Sequence, residues 1–218
     1  MGKVVENLNS CILLAANLCA PVSFTSIFDS GDLTGSGINF DSHITLLYAR
    51  NLEIYPSEVM EACEKIIEKK GIFGRGNSLS EFLKNQGNQD PKPVFYMFDL
   101  SSFRNDSDYI VLKLKKETGL FKILEVLNKG LQETFGVKSD FVTYTPHLTL
   151  AELVPGTADK YEKMKTLQLV LENSVISFED LVLSIGKSGE DDFSVSNITT
   201  NKAADRFFRI RDLKGEGE

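Results

Sequence analysis

The chain has 218 residues, 42% of them apolar and 25% charged, with a formal net charge of −7; that balance describes a globular chain able to bury a substantial core as one domain, residues 1–218. An acidic surface excludes general binding to long duplex DNA or RNA, which needs a basic face, but leaves room for a small anion in a local pocket. Cys11, Cys19 and Cys63 are odd in number and lack C-x-x-C spacing, and there are only two histidines, so neither a disulfide framework nor a metal or other cofactor is expected.

Taken in chain order, CILLAAN (11–17) predicts a buried strand. The apolar stretch Cys11–Ala20 lacks the charged leader and A-x-A cleavage pattern of a secretory signal, and no apolar run reaches the ~20 residues that span a bilayer. A cytoplasmic location and no membrane partner are therefore expected. The Ser-, Gly- and Asp-rich segment 23–42 reads as loop, and HITLLYA (43–49) as a strand. Pro56 and Ser57 open a helix whose Val59, Met60, Cys63, Ile66 and Ile67 form one stripe, closed by Lys69, Lys70 and Gly71.

Segment 71–92 predicts a long polar loop, and 71–107 as a whole reads as partly an insertion. VFYMFDL (94–100) and DYIVLKL (108–114) predict two strands around a polar turn, 101–107. Leu120, Phe121, Leu124, Leu127, Leu131 and Phe135 fall at helical spacing up to Gly136. HLTLAEL (147–153) is again a strand, and Pro155-Gly156 leads into a helix to about Leu171. Strands are expected at 175–186, 193–200 and 206–213, the first two joined as a hairpin, with a frayed tail at 214–218. This order predicts an α+β fold, antiparallel sheet with helices packed outside.

Within it the pattern His-x-Thr-Leu occurs twice, at 43–46 and 147–150, using both histidines of the chain. Each copy opens an apolar strand that is followed by a turn and a helix. Strand alternation puts His43 with Thr45 on one face and Ile44, Leu46 and Tyr48 on the other; His147 and Thr149 divide from Leu148 and Leu150 in the same way. The apolar faces are expected to anchor the strands, and the two His/Thr faces to meet at one groove. Two imidazoles titrating near ~6.5 suit paired acid and base work at phosphorus, with the threonine hydroxyls donating to non-bridging oxygens. A lone H-x-T in a strand is ordinarily a satisfied polar pair; the duplication is what points to catalysis. Tyr144, three residues before the second motif, is a candidate for stacking on a base, and Arg50 for a phosphate contact.

HITL and HLTL resemble the paired motifs of the 2H phosphoesterase superfamily, over about residues 11–185. The resemblance implies a bilobal fold, two antiparallel sheets facing a central groove with helices outside. It implies that His43 and His147 act as acid and base and that Thr45 and Thr149 bind phosphate, without a metal. It also implies a small anionic nucleotide or oligonucleotide as substrate. The opening CILLAAN…HITLLYA is similar to the bacteriophage members, which cleave cyclic oligonucleotide signals of host immunity, so the host cytoplasm is the compartment implied if the protein is viral. Other members act on 2′,3′-cyclic RNA ends or 2′,5′ linkages, and a third possibility is a module that sequesters a nucleotide without turnover.

Overall fold

A computed structural model describes residues 3–4, 8–71, 91–138, 143–187, 193–197 and 202–203. Most of the loop expected at 71–92, the strand expected at 206–213 and the tail 214–218 lie outside the described residues.

The fold is α+β, and among the described residues every strand pair is antiparallel. One sheet is built on the long strand β2 (Leu8–Cys19), flanked by β4 (His43–Ala49) on one side and β10 (Val175–Lys187) on the other. It continues through β11 (Phe193–Asn197) to β12 (Lys202–Ala203), and β6 (Lys92–Pro93) pairs with the start of β10. The second sheet has the order β3 (Leu33–Ile38), β9 (His147–Leu153), β8 (Asp108–Leu114), β7 (Phe98–Arg104). A small ribbon joins β1 (Lys3–Val4) to β5 (Leu52–Glu53).

Helix α1 (Pro56–Lys70) buries Val59, Ala62, Cys63, Ile66 and Ile67 and ends on Gly71 in the left-handed region, φ 60°; Met60, expected in the stripe, lies at its edge and is exposed, and Ala62 is buried instead. A short turn, α2 (Val94–Met97), precedes β7. Helix α3 (Gly119–Phe135) starts on Thr118, whose hydroxyl accepts from Phe121 N, and ends on Gly136, φ 68°. It packs on α1 and on β4. Helices α4 (Ala158–Glu162) and α5 (Lys165–Glu172) follow β9. One continuous apolar core spans both sheets, joining Ile12, Leu14, Ile44 and Leu46 to Ile110, Leu112, Leu148 and Leu150 beneath α1 and α3.

Four further expectations change. The segment 23–42 is not all loop: two short 3₁₀ turns lead into β3, which pairs with β9. Residues 94–97 form a helical turn rather than the start of a strand, because Val94 and Met97, three apart, are the pair that is buried; short apolar runs do not separate the two periodicities. The polar stretch Ser101–Arg104 is strand, paired with Asp108–Val111, since β7 is an edge strand whose outer side tolerates hydroxyls. Residues 92–93 and 98–104 are thus sheet strands, while most of the rest of 71–107 lies outside the described residues. Finally, the helix expected up to Leu171 breaks at Met164, which is extended (φ −72°, ψ 114°), while Tyr161 is held by its hydroxyl donating to Asp32 Oδ2 at 2.7 Å and accepting from Asp29 N at 2.9 Å.

Candidate active site

The duplicated motif is duplicated in three dimensions. In β4, Ile12 pairs with Leu47 and Leu13 with Thr45, so Leu46 is an extra, bulged residue. In β9, Ile110 pairs with Ala151 and Val111 with Thr149, so Leu150 is the extra residue. The last letter of each His-x-Thr-Leu is therefore the bulge, and both leucines are buried in the core. Each bulged carbonyl is capped: Asn128 Nδ2 on α3 donates to Leu46 O at 2.7 Å, and Asn39 N donates to Leu150 O at 2.9 Å. A bulge re-aims the strand and reverses alternation beyond it. That corrects the expectation for Tyr48, which lies opposite Cys11 and packs with Cys11, Leu13, Ala15 and Val182 on the His43/Thr45 face, not with Ile44 and Leu46.

Each imidazole is oriented in the same way. His43 Nδ1 lies 2.7 Å from Asp41 O, and His147 Nδ1 lies 2.8 Å from Thr145 O, in both cases the carbonyl two residues earlier. A carbonyl only accepts, so Nδ1 carries the proton and, in the neutral ring, the lone pair sits on Nε2. The residues just before the histidines match as well: Ala16 N donates to Ser42 O, and Leu114 N to Pro146 O, both at 2.9 Å.

The two motifs also hold each other. Leu150 O, in the second, accepts from Asn39 N; Asn39 Oδ1 accepts from Asp41 N at 3.0 Å; Asp41 O accepts from His43. In return, Tyr144 OH, one residue before the carbonyl that orients His147, donates to Thr45 O at 3.0 Å. The turn that aims each imidazole is thus pinned to the strand of the other, and β4 and β9 approach one another. Tyr144, named above as a stacking candidate, is placed half-buried against the core with its hydroxyl on the β4 backbone. Burial also pushes that hydroxyl's pKa well up, so it acts as a neutral donor.

Thr45 and Thr149 are half-buried beside their histidines, and neither hydroxyl has a protein partner among the described residues. Arg50 lies beyond the end of β4, seven residues from His43 and so roughly 20 Å away at strand rise; its guanidinium stands 5.7 Å over the Tyr48 ring. The structure therefore sets His43 and Thr45 on β4 and His147 and Thr149 on β9, strands that approach one another with His43 near enough for its charge to act on His147, and sets Arg50 at the far end.

Sequence reasoning missed the neighbours supplied by β7 and β8. Register puts Lys113 directly opposite His147 and Val111 opposite Thr149, so these share a face. Phe103, from β7, meets the His147 ring edge-on at 4.7 Å, and Lys113 Nζ stands 4.4 Å over the Phe103 ring. A lone lysine in the apolar run VLKL was the available signal. No three His, Cys, Asp or Glu side chains cluster as a metal ligand set among the described residues, and no described helix is long and apolar enough to cross a membrane.

No protein-family model and no curated protein matches the chain.

The two imidazoles are electrostatically unequal. Burial pushes His147 down from the ordinary 6.5 to about 4, opposed by its bond to Thr145 O and helped by the charges of His43 and Lys113. Burial lowers His43 too, but both the Asp41 backbone bond and the Asp41 carboxylate pull it back up. A histidine held low in the folded state takes up its proton later than in the unfolded chain. Its contribution to stability is therefore complete above 6.5 and is lost as pH falls from 6.5 towards about 4. Urea unfolding across that window should show a falling midpoint, and His147→Gln should flatten the fall; equal slopes in the two proteins would contradict the buried, neutral imidazole.

Proposed function

We propose that the protein is a metal-independent phosphodiesterase that cleaves a small or cyclic oligonucleotide by paired histidine catalysis, in a bilobal 2H-type arrangement with the groove between the two sheets. The observation that carries this reading is the repeat itself: two His-x-Thr-Leu strands with the same bulge, the same Nδ1 anchor and reciprocal pinning. Packing alone requires no such match, since a buried strand needs only its leucines.

The chemistry follows from the tautomer and the unequal environments. His147, neutral with its lone pair on Nε2, takes the proton from the attacking oxygen, a ribose hydroxyl or water. As the new P–O bond forms, the opposite P–O bond breaks, and protonated His43 gives its Nε2 proton to the leaving oxygen. Thr45 and Thr149 donate to the non-bridging oxygens, where charge grows. The reaction needs one imidazole on each side of an in-line displacement, and the matched bulges and Nδ1 anchors of β4 and β9 support that reading. The substrate class rests on the motif resemblance and on the net charge of −7, which suits a small nucleotide better than a long polyanion.

The test is incubation, in excess chelator, with cyclic and linear oligonucleotides of 3′,5′ and 2′,5′ linkage and with 2′,3′-cyclic ends, resolving the products. Turnover that survives chelation is expected, greatest on the cyclic oligonucleotides. Selective opening of 2′,3′-cyclic ends would redirect the reading to RNA-end processing. Tight binding with the nucleotide recovered unchanged would make the protein a sequestering module, and metal-dependent turnover would refute the mechanism.

A further inference from the structure

We infer that Lys113 is an anion-binding residue of this site, its ammonium braced on the Phe103 ring so that it meets the non-bridging oxygens of a phosphate seated against His147. The inference builds on the functional reading above but concerns one subsite of it, the wall formed by β8 and β7.

Three observations place the ammonium there. Lys113 is the register partner of His147 across β8 and β9, so the two side chains leave the sheet on the same face. Its nitrogen lies 4.4 Å from the centre of the Phe103 ring, and that ring touches the imidazole edge-on. A cation over an aromatic face is attracted by the ring quadrupole, which fixes a side chain that otherwise has four rotatable bonds. The third concerns what Lys113 does not do. Its partner across β7 and β8 is Asp99, the obvious carboxylate, yet Asp99 stands 3.5 Å from Lys115 Nζ. Among the described residues no carboxylate pairs with Lys113. A half-buried ammonium beside an imidazole, with no carboxylate, in a chain of net charge −7, is a place where an anion is held rather than an internal ion pair.

The charge has a second consequence. Lys113 and His43 both act to keep His147 unprotonated, which is what a base needs. Among the described residues, Asp99 on β7 is turned to Lys115, and Glu152, further along β9, lies against Gly35 of β3. Removing the Lys113 charge therefore removes one of the repulsions that hold the His147 proton off. A bound phosphate does the opposite and draws the proton on, so substrate and lysine act on the base in opposing directions.

Because the chain holds only two histidines, their ring protons can be followed singly by NMR. Inorganic phosphate is titrated into the full-length protein and into Lys113→Met and Lys113→Arg, observing His147; a His43→Gln variant assigns the two signals. Phosphate should shift the His147 resonance in the wild type. Lys113→Met should weaken that binding about tenfold, as expected for loss of one charge-assisted contact, and should raise the His147 titration midpoint towards the ordinary imidazole value. Lys113→Arg should retain both properties. Equal phosphate affinity and an unchanged midpoint in Lys113→Met would overturn the inference. If instead no oligonucleotide is ever cleaved but phosphate binding still depends on Lys113, the proposed activity fails while this assignment stands.

Discussion

His147→Ala and His43→Ala should each lower turnover of a cleaved oligonucleotide by roughly 10²–10⁴-fold, the range typical of a positioned general acid or base. The double variant should be little worse than either alone. In the proposed mechanism the two imidazoles serve one displacement, and once one partner is missing the other has no completed step to assist. The loss should fall on kcat more than on KM, because neither ring is the main holder of the phosphate charge. Thr45→Val and Thr149→Val should be milder and should raise KM as well, since in the proposed mechanism their hydroxyls contact the phosphate before and during the reaction.

The same environments set the pH profile. kcat/KM reports the groups of the free enzyme. Its acid limb should follow His147 at about 4. Its alkaline limb should follow His43, which burial holds below 6.5 even though Asp41 partly restores it. The expected profile is a bell displaced to the acid side of neutrality. Full activity in either alanine variant, or a profile rising monotonically through pH 7, would refute the assignment of base and acid.

The largest expected effect on stability lies away from the histidines, at Asp108. Its side chain is buried, 3% exposed, at the start of β8, and its Oδ2 accepts from Gly156 N and Ala158 N, both at 2.9 Å. Those two N–H groups belong to the turn after β9 and the first residue of α4, whose Ala158 is itself fully buried. Asp108→Ala should leave both donors without a partner where water has poor access. Two charge-assisted bonds and the penalty for orphaned groups together suggest a loss of about 3 kcal/mol. For a chain of this size that corresponds to a melting temperature lower by roughly 6–12 °C. Asp108→Asn, which keeps an oxygen in place, should recover about half of it. Equilibrium unfolding in urea measures both variants; a midpoint unchanged in Asp108→Ala would mean that the turn is held by its other contacts. Because the turn lies at the far end of β9 from His147, the residual activity of folded Asp108→Asn should stay near wild type.

Local periodicity made a good part of this molecule legible. The stripes of α1 and α3 and their terminal glycines follow from helix geometry within a single segment, and the strands at 43–49 and 147–153 follow from β-branched and aromatic content within seven residues. The duplicated motif is a property of the letters alone. So is the pairing of each histidine with a threonine on one face, because a period of two holds over three residues regardless of what lies beside the strand.

What the letters did not contain is everything that depends on a neighbouring strand. A bulge is a mismatch between two registers, so the flip of Tyr48 to the histidine face required β2 to be in place. The carbonyls that aim the imidazoles are adjacent in sequence, but the pinning of each turn to the other motif joins Asn39 to Leu150 and Tyr144 to Thr45, pairs roughly a hundred residues apart. Lys113 was an ordinary strand residue and Phe103 part of an expected turn until β8 and β7 lay beside β9. The sequence by itself determined the two matched histidine–threonine pairs; only the tertiary structure decided how they are aimed, how unequal the two imidazoles are, and which cation stands beside them. The reason is physical: side-chain identity and short-range period are encoded along the chain, whereas burial, electrostatic coupling and register arise between segments that meet only on folding.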